Sequence, residues 1–254
     1  MGCRFMSSVV YIRFYAELND FLPFEKRQLT FTHFFSGHPT VKDLIESLGI
    51  PHTEVDLILV NGRSVDFTHR AADGEQISVY PIFEALDISP LLQVRPEPLR
   101  ESRFVLDTHL GKLASYLRML GFDTLYHNSY TDQELAEISV NERRILLTRD
   151  RGLLKRAVVN HGYLVRSEKG HQQVAEVLHR FDLFNAIDPF TRCMQCNELL
   201  SKVSKAEVKG QVPAKVEQVC DQFSCCPACN RIYWKGSHFK KMNEFIDRLR
   251  AERL

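Results

Sequence analysis

Three aspartates and four cysteines occupy positions from which side chains can hold metal ions. Asp107 directly follows the apolar run Phe104-Val105-Leu106, and Asp150 lies two residues beyond the apolar run at 144–148. In open parallel sheets, functional groups collect beyond the carboxyl ends of strands, and both residues fall there. Asp132 sits in the first turn of a helical pattern, behind Thr131 as N-cap and ahead of Glu134, the pairing of a capping box. That helix follows a strand pattern at 122–126, so its start can face the same edge. Carboxylates gathered in one crevice repel one another unless a cation lies among them. Hard cations such as Mg²⁺ or Mn²⁺ take oxygen ligands. They also supply what water needs to cleave a phosphodiester: a deprotonated nucleophile and neutralised transition-state charge. A plainer reading stays open on spacing alone. Asp132 can be a first-turn residue favoured by the helix dipole, and Asp107 and Asp150 ordinary caps or turn formers.

The cysteines point to a different metal. Cys193-x-x-Cys196 and Cys226-x-x-Cys229 form two knuckles separated by residues 197–225. Two thiolates three positions apart fit one Zn²⁺ on a tight turn, and two such turns close a tetrahedral, structural site. A hairpin is expected between them at 202–222, including 208–212. Cys220 and Cys225 complicate the set, since Cys225 can replace Cys226 only with a spacing of four; both are otherwise buried thiols or alternative ligands.

These groups need a scaffold, and the sequence supplies one from Arg103 onward. Strand patterns at 104–106, 122–126, 144–148 and 163–166 alternate with helical patterns at 110–120, 131–142, 153–159 and 172–181. Such alternation implies a parallel sheet with helices on both faces. Gly121 ends the first helix. Upstream, strands at 9–14, 28–35, 56–60 and 76–80 surround a helix opened by Thr40 and Asp43, with Asn61-Gly62 as a tight turn. The β-β-α-β-β order matches a ubiquitin-like β-grasp fold over 9–83. Between the two lies a proline-bearing linker at 84–102, with Pro90, Pro96 and Pro98.

Bulk properties bound the function. A chain of 254 residues with 44% hydrophobic and 26% charged content is ordinary globular protein, not disordered or fibrous. No apolar run approaches the roughly 20 residues of a membrane span, and the N-terminal stretch, interrupted by Arg4, Arg13 and Glu17, does not read as a signal peptide. A cytoplasmic protein is expected. The net charge of +1 conceals an asymmetry: residues 1–102 hold 9 Lys/Arg against 14 Asp/Glu, and residues 103–254 hold 24 against 18. A polyanion is attracted to the second part and repelled by the first.

The motifs RFVLDTHLGKLASYLRMLGFD at 103–123, TDQEL at 131–135 and ILLTRD at 145–150, in that order, resemble those of the Mut-seven C-terminal RNase family, which is similar to PIN-domain nucleases. The resemblance extends over residues 103–249. It includes Arg192-Cys193-Met194-Gln195-Cys196-Asn197 and, after Phe223, Cys226 and Cys229, the run Tyr233-Trp234-Lys235-Gly236-Ser237-His238. It implies a PIN-like domain at 103–250 with a zinc ribbon at 190–238. It also implies RNA as substrate and an acidic centre of Asp107, Asp132 and Asp150 holding Mg²⁺ or Mn²⁺. It favours Cys226 over Cys225, giving Cys193, Cys196, Cys226 and Cys229 as zinc ligands. Lys112, Arg118 and Arg149 match the family too and are carried as phosphate contacts. Glu134 is a fourth acidic candidate, though capping explains it nearly as well. Trp234 stacking on a base, with His238 beside it, is set against a simple packed aromatic, which we favour. Lys235, Lys240, Lys241, Arg248 and Arg250 form a basic C-terminal surface.

Residues 9–83 look like the ubiquitin-like domain joined to this family, similar in fold to small sulfur carriers. The module runs on past Tyr80-Pro81-Ile82-Phe83 without a free Gly-Gly terminus, which excludes carrier chemistry at that position. A protein partner is the expectation for it. The rival functions are a non-catalytic RNA-binding zinc-ribbon protein and a toxin-like PIN nuclease.

Overall fold

The computed structural model describes residues 7–81 and 102–252. The expected linker lies outside them but for Ser102, as does Cys3. In chain order the strands are β1 (Ser8–Phe14), β2 (Phe31–Phe35), β3 (Val55–Val60), β4 (Arg63–Val65), β5 (Gln76–Pro81), β6 (Phe104–Leu106), β7 (Thr124–Tyr126), β8 (Ile145–Thr148), β9 (Gly162–Leu164), β10 (Ser201–Val203), β11 (Phe223–Cys225) and β12 (Ile232–Trp234). The helices are α1 (Val41–Ser47), α2 (Gly111–Met119), α3 (Asp132–Asn141), α4 (Arg151–Leu154), α5 (Gly170–Arg180), α6 (Ala214–Val219) and α7 (Ser237–Ala251). Over its described parts the chain forms two compact units, residues 1–101 with 139–164 and residues 102–138 with 165–254.

The first unit contains the β-grasp module. Its sheet runs β2-β1-β5-β3-β4. The central pair, β1 and β5, is parallel with Ile12 opposite Ile77, and the flanking pairs are antiparallel. Period-two patterning built β1: Val10, Ile12 and Phe14 are buried while Tyr11 between them is exposed. The Thr40 hydroxyl accepts from the Asp43 N–H and the Asp43 carboxylate accepts from the Thr40 N–H, the reciprocal cap that starts α1. The same carboxylate also accepts from the Thr40 hydroxyl at 2.7 Å, and that bond first, then the one from the Thr40 N–H, holds the Asp43 carboxyl below its usual range. Two details differ from expectation. Strand β2 begins at Phe31 rather than Gln28, because Gln28 adopts a φ of 56° and donates its N–H to Asn19 Oδ1 at 2.6 Å. The Asn61-Gly62 turn, with φ of 49° and 79°, closes a hairpin onto the short strand β4, which the sequence did not suggest.

The rest of that unit is a β-α-β segment in which β8 and β9 are parallel, with Leu147 opposite Tyr163. It packs on the β-grasp module through polar bonds as well as apolar surface. The Glu54 carboxylate, fully buried, accepts from the Leu164 N–H at 2.6 Å. His52 Nε2 donates to Val159 O at 2.8 Å and Lys155 Nζ donates to Glu46 O at 2.7 Å. Replacing Glu54 by Ala leaves a buried strand N–H without its acceptor, so Glu54→Ala is expected to cost about 1–3 kcal/mol in urea unfolding. Glu54→Gln, which retains an acceptor oxygen, should cost less; equal midpoints for wild type and Glu54→Ala would show that the bond contributes nothing.

The second unit pairs β6 with β7 in parallel, Val105 opposite Leu125, beside the packed helices α2 and α5. Leu113, Ala114 and Leu117 of α2 and Val174, Val177 and Leu178 of α5 are all buried. Gly121 ends the α2 turn at a φ of 97°, with the Asp188 backbone so close that a Cβ would collide. Mixed α/β architecture, with parallel strand pairing flanked by helices, is thus as expected. The ribbon corrects one detail. Residues 202–222 do not form a hairpin: β10, β11 and β12 make a three-stranded antiparallel sheet, and between β10 and β11 the chain turns through α6. Val208, Val212, Cys220 and Phe223 pack as a small buried core with Trp234 against it. This assigns Cys220 to packing, and Trp234 is the packed aromatic. Among the described residues no helix is long and apolar enough to cross a membrane.

Candidate functional site

Asp107 leaves β6 and caps the 3₁₀ turn that leads into α2. Its Oδ1 accepts from the Thr108 N–H at 2.6 Å, and the side chain is only 8% exposed. Tyr126, at the end of β7, donates its hydroxyl to Thr108 O at 2.9 Å and fixes the same turn. Asp132 is the first residue of α3 and is exposed. The cap of that helix is Thr131: its N–H and hydroxyl both donate to Glu134, at 2.7 and 2.9 Å. Those bonds, backbone first, hold the Glu134 carboxyl below its usual range and occupy it in capping. Asp150 is the N-cap of α4, accepting from the Gly152 N–H at 2.7 Å, while its own N–H donates to Thr148 Oγ1 at 2.9 Å. Asp107 therefore stands immediately past, and Asp150 two residues past, the carboxyl end of a parallel-paired strand.

The basic candidates differ from one another. Lys112 and Arg149 are exposed, and Lys112 Nζ lies 6.0 Å from the Tyr116 ring centroid. Arg118, expected from the sequence as a phosphate contact, is 4% exposed and turned to the ribbon. Its Nε donates to Thr124 O at 2.8 Å, and Nη1 donates to Gln195 O at 2.7 Å and Met194 O at 3.3 Å. Asn197 completes the staple: its Oδ1 accepts from the Thr124 N–H and its Nδ2 donates to Asp123 Oδ1, both at 2.8 Å. Arg192 adds a bond from Nε to Gly121 O at 3.1 Å. The first cysteine knuckle is thus fastened to the strand β7 and the end of α2. Arg118→Met should lower stability by on the order of 3 kcal/mol in chemical denaturation, because buried carbonyls lose their donor. Unchanged stability with weakened RNA binding would return Arg118 to the substrate.

The four knuckle cysteines meet. Their Sγ atoms all lie within 4.8 Å of one another, with Cys193 to Cys229 at 3.6 Å and Cys196 to Cys226 at 3.4 Å. Sulfurs around a tetrahedral Zn²⁺ at about 2.3 Å stand about 3.8 Å apart, so the set fits that ion. Each knuckle closes the same way: Asn197 and Asn230, at φ of 73° and 57°, donate their N–H to Cys193 O and Cys226 O, both at 2.9 Å. Asparagine tolerates this left-handed conformation better than most residues, and the repeat Cys-x-x-Cys-Asn is the signal by which the sequence could have revealed it. The Tyr233 hydroxyl lies 3.1 Å from Cys193 Sγ. Burial pushes the Cys193 thiol up, but bonds from Tyr233 and from backbone N–H groups outweigh it and bring the thiol down to about 6. Burial, together with the adjacent sulfurs, pushes Cys196 up to about 12. Four neighbouring thiols cannot all ionise together without a cation, and a divalent ion removes that conflict. Cys225 stands outside the cluster on β11, as the sequence motif implied.

Residues 7–87 match the Mut7-C ubiquitin family. A human protein named "Exonuclease mut-7 homolog" is 36% identical over 119 residues, covering 44% of this chain and 14% of that protein. The chain therefore spans a small part of that relative. No solved structure matches it. Residues 102–246, more than half the chain and a span that contains both knuckles and the strand-end aspartates, match the Mut7-C RNAse domain, and the chain belongs to the Mut7-C RNase family.

Proposed function

We propose that this protein is a ribonuclease that hydrolyses RNA phosphodiester bonds with Asp107, Asp132 and Asp150 as ligands of Mg²⁺ or Mn²⁺. The observation that carries the reading is the position of Asp107, a mostly buried carboxylate held past the end of β6 within a segment of the RNase-family match. Three carboxylates are the oxygen donor set that hard cations require. When bound, such an ion supplies Lewis acidity and a water of lowered pKa. The chain's own residues do the rest. Asp107 and Asp150 keep one oxygen each in a backbone bond, which fixes the direction of the carboxylate. Lys112 and Arg149 offer exposed cations for the phosphates of a bound strand. The zinc ribbon is structural in this reading: a closed four-thiolate site leaves no open position for a reacting water. The N-terminal module contacts a protein partner rather than RNA, in keeping with its negative balance.

The test is incubation of the zinc-loaded protein with end-labelled single-stranded RNA, with and without Mn²⁺, beside the same sequence as DNA. Cleavage of RNA that requires Mn²⁺ supports the reading. Equal cleavage with and without the ion removes the metal from the mechanism.

A further inference from the structure

Helix α7 carries a stripe that the acidic centre does not use. His238, Lys241, Phe245 and Arg248 are spaced three, four and three residues apart, so they share one face of the helix. Opposite them stand Tyr116 of α2 and Met194 of the first knuckle, and together these residues line an open cleft of about 470 Å³. That volume falls within the roughly 300–1,000 Å³ typical of ligand clefts. The Tyr116 and Phe245 rings lie 5.0 Å apart and tilted by 30°, forming an aromatic floor. The two cationic residues of the stripe, Lys241 and Arg248, are exposed, as is His238. Neither acidic residue of α7, Glu244 nor Asp247, lines the cleft.

An aromatic and methionine floor rimmed by cations suits a flexible polyanion that carries flat apolar groups. From this we infer that the cleft is a subsite for a single-stranded RNA segment, with bases against Tyr116 and Phe245 and phosphates on Lys241 and Arg248. Stacking on aromatic faces beside a basic track is how single strands are held without sequence preference. Position supports the same occupant. Helix α2 starts four residues after Asp107, and Lys112 and Tyr116 lie on one face of it. Lys112 thus links the Asp107 end of the helix to the cleft, and a strand cut at the acidic centre continues along α2 into it. This part of the inference rests on the hydrolytic reading above; occupancy of the cleft does not.

Binding is read without cleavage, by fluorescence anisotropy of a labelled single-stranded oligoribonucleotide on the full zinc-loaded chain in buffer lacking Mg²⁺ and Mn²⁺. Lys241→Glu with Arg248→Glu should raise Kd at least about tenfold and flatten the dependence of log Kd on log salt by roughly 1 to 2. Lys209→Glu with Lys215→Glu changes net charge equally on exposed ribbon residues and should leave Kd within about twofold. Phe245→Leu should weaken binding about fivefold or more with the salt slope unchanged, the mark of lost stacking. The inference is overturned if the cleft pair binds like wild type, or if the ribbon pair weakens binding as much as the cleft pair. It is overturned in favour of an acidic peptide if the cleft pair keeps RNA affinity but loses a poly-glutamate peptide. Failure of the wild type to cleave RNA with Mn²⁺ would defeat the hydrolytic reading alone.

Discussion

Asp107→Asn is expected to lose RNA cleavage by about three orders of magnitude while its thermal midpoint stays close to that of the wild type. The asymmetry follows from what the side chain does locally. The Thr108 N–H at 2.6 Å needs an acceptor, and an amide oxygen serves as well as a carboxylate oxygen, so the 3₁₀ turn and α2 keep their start. An amide cannot supply the negative charge that holds a hard cation. Loss of several kcal/mol of transition-state stabilisation corresponds to a factor of roughly 10³ in rate. Asp150→Asn should behave alike, since its cap bond to the Gly152 N–H also survives the substitution. Initial rates on labelled RNA in Mn²⁺, beside circular dichroism melts, decide the matter. Cleavage undiminished in a folded Asp107→Asn protein would assign the activity to some other site or to a contaminant.

How far the sequence could go is seen from individual elements. Strand β1 and helix α1 were readable because their signals are local: alternation of Val10, Ile12 and Phe14, and the Thr40–Asp43 cap. Asp150 shows a local signal whose reach is misjudged: it N-caps α4 at Arg151–Leu154, a role its position allowed, whereas the apolar pattern predicts a helix at 153–159. The four thiolates were legible because paired Cys-x-x-Cys spacing has few other uses, and the structure brings those four together. The bonds of Arg118, Asn197 and Glu54 were not legible, since each joins residues 70 or more apart in the chain, or inserts a charged side chain where apolar patterning gives no cue. A basic residue on a helical pattern reads as solvated or substrate-facing. Only the fold shows that Arg118 points to the knuckle carbonyls.

That staple makes the ribbon more than an appendage, and it sets the second large expectation. Cys226→Ser should bind well under one equivalent of zinc by elemental analysis, whereas Cys225→Ser should retain a full equivalent. Cys226 is fully buried within the thiolate cluster, while Cys225 lies outside it on β11. Structural zinc contributes on the order of 10 kcal/mol to the segments that bind it, so a knuckle deprived of its ion has little else to hold its turn. The consequence extends to β7. The Thr124 N–H is held by Asn197 Oδ1, and the Arg118 guanidinium that anchors Thr124 O shares its donors with the carbonyls of Gln195 and Met194. When the knuckle loosens, Asn197 withdraws its acceptor and a buried guanidinium loses two of its three carbonyl partners, which costs more than leaving the group in water. Native-state hydrogen exchange should therefore speed up at Thr124 in Cys226→Ser, or after zinc is stripped by a chelator, and not in Cys225→Ser. Strand β7 is also where Tyr126 holds the turn that carries Asp107, so any loss of cleavage after zinc removal is expected to follow exchange at β7. Unaltered exchange at Thr124 in a protein shown to be zinc-free would mean that the knuckle keeps its shape without the ion and that the metal stabilises the ribbon alone.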